Sequence, residues 1–192
     1  MPPATFPSIL VVAATDRELA GATGVATLRC GVGPVEAAAA TAAAIAAARP
    51  SAVLHVGIAG ARRASGIPPL ALVIGSEARY CDLAPSNDWA PRVLIPAATL
   101  VEAARRALPE AALLPIGTSA RVGGTSECDV EAMEGFAVLR AARLAGVPAI
   151  EVRAVSNEIE EPDRARWRFE EAFRAVADAT PRLIAEIAAC VS

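Results

Sequence analysis

Residues 129–157 read DVEAMEGFAVLRAARLAGVPAIEVRAVSN, and this stretch decides the fold class. It reads as a loop, a helix that begins at Met133 and Glu134, a tight connection, and a strand that ends at Ser156 and Asn157. In α/β proteins a helix N-terminus and a strand C-terminus on the same side of the sheet face the crevice that binds ligands. We therefore expect Glu134 and Asn157 to lie at a binding site.

Apolar strands and helices alternate along the rest of the chain, which predicts a three-layer α/β/α sandwich with a mostly parallel, mixed sheet. The pattern gives one domain over residues 1–192, without a repeat or linker. We predict strands at 8–14, 26–30, 52–56, 70–80, 113–116 and 119–122, and helices at 35–48, 97–108 and 163–190, the last bent at Pro181. A short helix capped by Thr15 is expected after the first strand, and residues 82–96 are expected to form a loop.

Composition excludes several classes of protein. Hydrophobic residues make up 54% of the 192 residues, which argues for a folded core. No apolar run reaches the roughly 18–20 residues of a membrane span, and the first residues lack the basic region of a signal peptide. A net charge of -3 gives no argument for nucleic acid. The four cysteines lack CxxC spacing and there is one histidine, so we expect no zinc site, no disulfide framework and a cytoplasmic location.

Two glycine-rich segments leave alternatives open. Residues 31–34, GVGP, follow a strand and precede a helix, but Glu36 occupies the third-glycine position of a dinucleotide fingerprint. A plain strand-to-helix turn is therefore favoured over NAD binding. Residues 57–60, GIAG, form either a tight turn or a place where backbone N–H groups approach a ligand.

Three polar residues stand at the mouth of the predicted sheet. Glu18 is either a general base toward water or a solvated acid in a first helical turn. Glu134 is either a ligand of vicinal ribose hydroxyls or a helix-start acid, and Asn157 either reads a heterocycle edge or closes a strand. We interpret His55 as a satisfied core histidine, Tyr80 and Asp82 as structural or interfacial, and Trp167 as a core aromatic or a lid.

In order along the chain stand ILVVAATDREL at 9–19, GVGPVEAAAAT at 31–41, VGIAGA at 56–61, EARYCD at 77–82, MEGFAV at 133–138 and EVRAVSN at 151–157. This ordered set resembles the nucleoside phosphorylase and nucleosidase superfamily over nearly the whole chain. Within it, MEGFAV and EVRAVSN followed by DRARWRF are most similar to the futalosine hydrolases, nucleosidases of the alternative menaquinone pathway. Methylthioadenosine/S-adenosylhomocysteine nucleosidases are the next most similar branch.

The resemblance implies a role for each matching residue. Glu18 corresponds to the acid that activates the attacking water, and Asn157 to the residue that contacts the leaving base. Substrate-binding positions are implied at Ala14, Ile58, Ala59, Gly60, Met133, Glu134, Ser156 and Trp167, with Trp167 on the C-terminal helix. The family also implies a homo-oligomer, no metal and no cofactor.

Departures from the family pattern narrow the substrate. Adenine-specific nucleosidases carry an aspartate where this chain has Asn157, and an amide donates a hydrogen bond to a 6-oxopurine but cannot protonate adenine. Glu18 stands near the place where related phosphorylases carry a phosphate-binding arginine, which favours hydrolysis. Arg17, Arg62 and Arg63 remain possible phosphate contacts. Ala132 replaces a glutamate of many relatives, and the region 123–129, which should supply the wall against the base, is short.

The pattern as a whole predicts hydrolysis of a 6-oxopurine nucleoside such as futalosine to hypoxanthine. The alternatives are a methylthioadenosine/S-adenosylhomocysteine nucleosidase, a purine nucleoside phosphorylase, and a nucleoside-binding protein without turnover.

Overall fold

The computed structural model describes residues 8–83, 90–123 and 127–191. Four helices lie in these ranges: α1 Pro34–Ala48, α2 Ala98–Ala107, α3 Gly135–Leu144 and α4 Phe169–Cys190. The strands are β1 Ile9–Ala13, β2 Ala26–Arg29, β3 Ala52–Ala61, β4 Leu72–Tyr80, β5 Val93–Leu94, β6 Ala112–Thr118, β7 Val130–Ala132 and β8 Ala149–Glu158.

The helices cover the two faces of the sheet in pairs, so the predicted three-layer α/β/α architecture is confirmed. Helices α2 and α4 pack with Leu54, Ile74 and Ile150 in one buried apolar cluster. Helices α1 and α3 pack on the opposite face, where Val12 and Val53 lie in a second cluster. Burial of both faces explains the continuous apolar runs of the strands.

The sheet is mixed, and part of it closes on itself. Five strand pairings in the described ranges are parallel and three are antiparallel. Strands β3, β8, β4, β6 and β7 pair in succession, and β7 pairs back to β3, so that these five form a ring. Strands β1 and β2 extend the sheet from β3, which brings the carboxyl ends of β1, β3 and β8 to one edge.

Helix α1 follows directly from its composition. Alanine has the highest helix propensity, and Pro34 at the first helical turn is already set to the helical φ. Gly33 precedes it with φ 97°, a backbone conformation that side-chain-bearing residues rarely adopt. The predicted strand-to-helix turn at residues 31–34 is therefore confirmed.

Of the two alternatives for residues 57–60, the tight turn is wrong, because this segment continues strand β3 to Ala61. The two glycines make room for neighbouring side chains and do not reverse the direction of the chain. A Cβ on Gly57 would lie 2.2 Å from Nη1 of Arg153, and one on Gly60 would lie 3.2 Å from Nδ2 of Asn157. The side chains of Arg153 and Asn157 on strand β8, and of Ile159 just beyond it, occupy the room that the two glycines leave.

Other corrections concern short elements. Residues 15–21 form turns instead of the predicted helix, and residues 119–122 are not a strand. Strands β5 and β7 were not predicted, and residues 84–89 of the predicted 82–96 loop lie outside the described ranges. The C-terminal helix begins at Phe169 rather than at residue 163, because a 3-10 turn at Arg164–Arg166 precedes it. Strands β5 and β7, with two and three residues, are too short to show the alternation of apolar and polar residues that predicts a strand.

Helix α4 continues through Pro181, whose missing N–H leaves the Ala177 carbonyl without its helical partner. Gly21 packs against that carbonyl, and a Cβ there would lie 2.1 Å from the Ala177 oxygen. A larger residue at position 21 would push the turn after β1 away from α4.

None of the four helices in the described ranges has the length and apolar composition needed to cross a membrane.

Candidate active site

A cavity of about 380 Å³ opens at the edge where β1, β3 and β8 end. All ten residues that the sequence singled out line it: Ala14, Glu18, Ile58, Ala59, Gly60, Met133, Glu134, Ser156, Asn157 and Trp167. They come from six separate segments of the chain. Residues distant in sequence therefore form one site, as the family resemblance implied.

Glu18 follows β1 and is buried, with 3% of its surface exposed. Its Oε2 accepts hydrogen bonds from the Thr15 N–H at 2.9 Å and the Thr15 hydroxyl at 2.8 Å, and its Oε1 accepts one from the Ile58 N–H at 3.1 Å. Burial raises the pKa of Glu18 above its ordinary value of 4.5, although Arg153 and these hydrogen bonds oppose the shift. The alternative of a solvated first-turn acid is therefore wrong.

Arg153 is the positive centre of the site, and its side chain is 1% exposed. Its Nε donates to Oε1 of Glu151 at 2.7 Å, Nη1 to the Ile58 carbonyl at 3.3 Å, and Nη2 to Oε2 of Glu134 at 3.4 Å. Burial opposes the charge, but the carboxylates of Glu151, Glu134 and Glu18 raise the pKa of Arg153 above its usual range. The guanidinium therefore stays protonated among the three carboxyl groups.

His55 on β3 orients the side chain of Arg153 through a hydrogen bond. Its Nδ1 lies 3.0 Å from the Val12 carbonyl, and since a carbonyl only accepts, Nδ1 carries the proton. The lone pair on Nε2 then accepts from Nη2 of Arg153 at 2.5 Å. Burial and the neighbouring Arg153 lower the pKa of His55, which keeps the ring neutral. The prediction of a satisfied core histidine is confirmed, and the residue also orients the guanidinium.

Glu134 stands immediately before α3 and is 4% exposed. Its Oε1 accepts a hydrogen bond from the Gly33 N–H at 3.1 Å, while Oε2 accepts from Arg153. The turn at residues 31–34 and the arginine thus fix the carboxylate from two sides. Met133 lies beside it on the cavity wall.

Ser156 and Asn157 close the other end of the cavity. The Ser156 hydroxyl lies 2.8 Å from Oδ1 of Asn157 and 3.2 Å from the Ala59 carbonyl, and its one proton serves one acceptor at a time. Nδ2 of Asn157 donates to the Glu158 carbonyl at 2.9 Å. An amide nitrogen has two hydrogens, so the second is available to a ligand.

Aromatic residues line the outer part of the cavity. Trp167 lies on it, but this residue precedes α4 instead of standing on the helix, and its Nε1 donates to the Glu161 carbonyl at 3.0 Å. Its ring lies 5.4 Å from that of Phe169, which in turn stacks on Phe173 at 6.3 Å. Arg164 lies over the Trp167 ring.

Several lining residues were missed from the sequence: Thr15, Val32, Val122, Glu131, Ile159, Arg164, Phe169 and Phe173. The spacing of Phe169 and Phe173, four residues apart at the start of a helix, was a usable signal. The predicted base wall at 123–129 is partly described, because Gly123 and the preceding Val122 line the cavity whereas residues 124–126 lie outside the described ranges.

Tyr80 and Asp82 lie away from this cavity, so their structural interpretation holds. The Tyr80 ring stacks on Phe136 at 5.3 Å, and Asp82 accepts a hydrogen bond from the Ser119 hydroxyl at 3.0 Å. Within the described ranges, no group of three or more histidine, cysteine, aspartate or glutamate side chains could hold a metal ion.

The chain belongs to the phosphorylase superfamily, whose family model matches residues 17–123 and 120–189. Among curated proteins, it is similar to the futalosine hydrolase of Streptomyces coelicolor, with 55% identity over 53 residues, covering 28% of this chain and 23% of the relative. The futalosine hydrolase of Thermus thermophilus is 47% identical over 57 residues, covering 30% of this chain and 25% of the relative. The chain thus matches about a quarter of the length of these relatives.

Solved structures show the same fold. Futalosine hydrolase of Helicobacter pylori superposes with a TM-score of 0.86 at 15% identity, covering 94% of this chain and 98% of that chain. The S-adenosylhomocysteine nucleosidase of Streptococcus pyogenes gives a TM-score of 0.85 at 19% identity, covering 95% and 98%. At these identities the likeness defines architecture alone.

Proposed function

We propose that the chain is a nucleosidase that hydrolyses the N-glycosidic bond of a 6-oxopurine nucleoside. The favoured substrate is futalosine, giving hypoxanthine and dehypoxanthinyl futalosine in menaquinone biosynthesis. The observation that carries the proposal is the buried Glu18, whose pKa is raised, in one cavity with Glu134 and Asn157. The similarity to two futalosine hydrolases supports the choice of substrate.

Glu18 is the general base of the proposed reaction. A base is most effective when its pKa approaches the working pH, and burial moves this carboxyl in that direction. As the bond to the base breaks, the ribosyl group acquires oxocarbenium character, and Glu18 takes a proton from the water that adds to C1′. Glu134 accepts hydrogen bonds from the ribose hydroxyls, with its position fixed by Gly33 and Arg153.

Asn157 stabilises the departing base. Its remaining N–H donates to N7 or O6 of the 6-oxopurine as negative charge develops there. A donor placed in this way contributes about 3 kcal/mol to the transition state. The hydroxyl of Ser156 and the Glu158 carbonyl hold the amide in one orientation.

The positions of the three arginines considered as phosphate ligands favour hydrolysis over phosphorolysis. Arg17 pairs with Glu170, Arg63 with Glu158, and Arg62 with Glu160. None of the three lines the cavity, whereas the carboxylate of Glu18 does. A carboxylate repels phosphate and orients water.

The rate should depend on pH through Glu18. Because the base acts in its ionised form and its pKa is raised, kcat/KM is expected to rise with pH through a pKa above 4.5. The measurement is a pH profile of base release for the wild type. A profile without a rising limb, or a limb that Glu18→Gln retains, would contradict the assignment of the base.

Asn157→Asp is expected to shift preference toward adenine nucleosides. The neutral carboxyl has a single proton that it can donate to N7 of adenine, and in doing so it gives up the hydrogen bond that Nδ2 of Asn157 donates to the Glu158 carbonyl. We expect the adenine to 6-oxopurine ratio of kcat/KM to rise about 10- to 100-fold, the size of a hydrogen bond to a charged group. Asn157→Ala is the control and should slow both substrates together. An unchanged ratio in Asn157→Asp would refute the base-reading role.

A substrate panel tests the function directly. Futalosine, inosine and methylthioadenosine are incubated with the protein in phosphate-free buffer, and release of the base is followed. We expect hypoxanthine release, fastest from futalosine. Faster release of adenine from methylthioadenosine would establish the adenine nucleosidase alternative, and tight binding without release would establish a binding protein.

A further inference from the structure

Glu151 on β8 is a buried carboxylate to which the mechanism above assigns no role. It is 1% exposed and does not line the cavity. Its Oε1 accepts the hydrogen bond from Nε of Arg153 at 2.7 Å, whereas its Oε2 has no hydrogen-bond partner within the described ranges. A buried carboxylate with an unpaired oxygen costs free energy, and apolar residues in place of a buried ion pair are often neutral or stabilising. Stability therefore explains this residue poorly, and its contact with Arg153 indicates what it serves.

The register of β3 and β8 places Glu151 and Arg153 on the face of the sheet that carries His55. In the β3–β8 pairing His55 stands opposite Glu151, and Gly57 stands opposite Arg153. Paired residues, and residues two apart on one strand, present their side chains to the same face. A Cβ on Gly57 would lie 2.2 Å from Nη1 of Arg153 and 2.7 Å from Oε1 of Glu18. The guanidinium and the carboxylate of Glu18 therefore meet over this glycine.

The guanidinium of Arg153 is a rigid plane, so the position of one of its nitrogens constrains the others. Nε donates to Glu151, Nη1 to the Ile58 carbonyl, and Nη2 to His55 and Glu134. Glu151 is bound at the base of this fork, and the cavity lies at its tips. A shift of the acceptor at Nε would therefore move both terminal nitrogens relative to the cavity.

Glu151 is held in place from its other side by helix α3. A Cβ on Gly135, the first residue of α3, would lie 1.9 Å from Oε2 of Glu151. The carboxyl group thus packs between Arg153 and the start of the helix, directly after Glu134. Glycine at position 135 leaves the room that a side chain of this length needs to reach Nε.

We propose that Glu151 is a positioning residue, which holds Nε of Arg153 so that the guanidinium stays between Glu18 and Glu134. The inference rests on the proposed role of Glu18 as general base and of Glu134 as ribose ligand. Glu151 itself touches neither substrate nor water. It acts through the reach of its side chain, which decides how close the positive charge of Arg153 lies to the base.

The charged groups around Glu18 give the sign of the effect. Arg153 lowers the pKa of Glu18, and Glu134 raises it. His55 stays neutral because burial and Arg153 lower its pKa, and the thiol of Cys30 stays neutral because burial raises its pKa to about 12. Arg153 is therefore the positive charge that acts on Glu18, and a guanidinium that moves away should let the pKa of Glu18 rise.

Two conservative substitutions separate reach from charge. Glu151→Asp keeps the charge but withdraws the carboxylate from Nε by about 1.5 Å, one carbon–carbon bond. Glu151→Gln keeps the reach and an oxygen that accepts from Nε, but it has no charge. We expect Glu151→Asp to raise the pKa of Glu18 by about half a unit, the size that Coulomb's law gives for such a retreat at an effective dielectric constant of about 20. Glu151→Gln should not raise it.

Carbon NMR titration of protein labelled at the glutamate carboxyl carbons measures this pKa without turnover, and the Glu18 signal is identified by its absence from Glu18→Gln. Glu186→Asp is the matched control, since it shortens a surface carboxylate that pairs with Arg106, and it should leave the pKa of Glu18 unchanged. An unchanged pKa in Glu151→Asp, or an equal rise in Glu151→Gln, would overturn the inference.

A second readout uses the wild type alone: the Nε–H of Arg153 should exchange slowly with solvent, and rapid exchange would also overturn the inference. Base release over the same pH range separates the two proposals. A rise in the pKa of Glu18 that is specific to Glu151→Asp, in a protein without hydrolysis, removes the nucleosidase function alone. Hydrolysis with the same Glu18 pKa in wild type and Glu151→Asp removes this inference alone.

Discussion

Glu18→Gln is expected to lower kcat for base release by about 10²- to 10⁴-fold, the usual contribution of a general base. Glutamine has the same shape and can still accept the hydrogen bond from the Ile58 N–H, but it cannot take a proton from water. Because the residue acts on water rather than on the nucleoside, affinity for a 6-oxopurine nucleoside should change by less than about threefold.

The stability of Glu18→Gln should distinguish the loss of general-base catalysis from damage to the fold. The pKa of Glu18 is raised in the folded state, so between its ordinary value of 4.5 and that higher pKa the folded chain binds more protons than the unfolded chain. The contribution of Glu18 to the free energy of unfolding is therefore fully present below pH 4.5 and is lost as the pH rises through the folded pKa. Glu18→Gln has no charge to bury, which offsets the hydrogen bond from the Thr15 N–H that its amide nitrogen cannot accept, so its stability should stay close to that of the wild type at neutral pH.

The measurements are single-turnover base release, calorimetric affinity and thermal unfolding at two pH values. Glu110→Gln, at an exposed position, is the control and should behave as the wild type. Unchanged kcat in Glu18→Gln would refute its role as base. A parallel loss of affinity and stability would instead make Glu18 a structural residue.

Arg153→Met is expected to lower the free energy of unfolding by about 3–5 kcal/mol, because removal of one partner leaves buried carboxylates uncompensated. The side chain of Arg153 reaches Glu151, Glu134, His55 and the Ile58 carbonyl, and methionine replaces none of these contacts. Burial already raises the pKa of Glu151, with Arg153 opposing the rise. Loss of the guanidinium should raise that pKa further.

The loss of stability in Arg153→Met should depend on pH. A carboxyl group whose folded pKa is raised costs more stability as the pH increases through that pKa, so the deficit of Arg153→Met should be larger at pH 8 than at pH 5. Urea unfolding at both pH values measures it. Arg106→Met is the matched control, since Arg106 pairs with Glu186 at the surface and exposed pairs contribute about 0–1 kcal/mol. Equal effects of the two substitutions would contradict the central role of Arg153.

Elements with a long local signal could be predicted from the sequence. The apolar run at Ile9–Ala13 and the alanine-rich Pro34–Ala48 carry their periods and propensities within themselves. Residues 57–60 could not, because the glycines there make room for Arg153 and Asn157 from a strand almost 100 residues away. Local turn statistics do not contain that requirement.

The site divides in the same way. The ten residues selected from the ordered motifs all line one cavity. The motifs gave no sign of Glu131, whose position depends on the pairing of β7 with β3, or of how Arg153 divides its donors among four partners. Both depend on contacts between distant segments. The single domain, the homo-oligomer and the cytoplasmic location remain predictions.

The identity of the sugar product tests the central claim most directly. Wild-type protein is incubated with futalosine or inosine in phosphate buffer, and the products are examined by phosphorus NMR together with chromatography of the base. Attack by water predicts release of hypoxanthine and a free sugar, at a rate that does not depend on phosphate. Formation of a sugar 1-phosphate, or a reaction that requires phosphate, would contradict hydrolysis with Glu18 as the base.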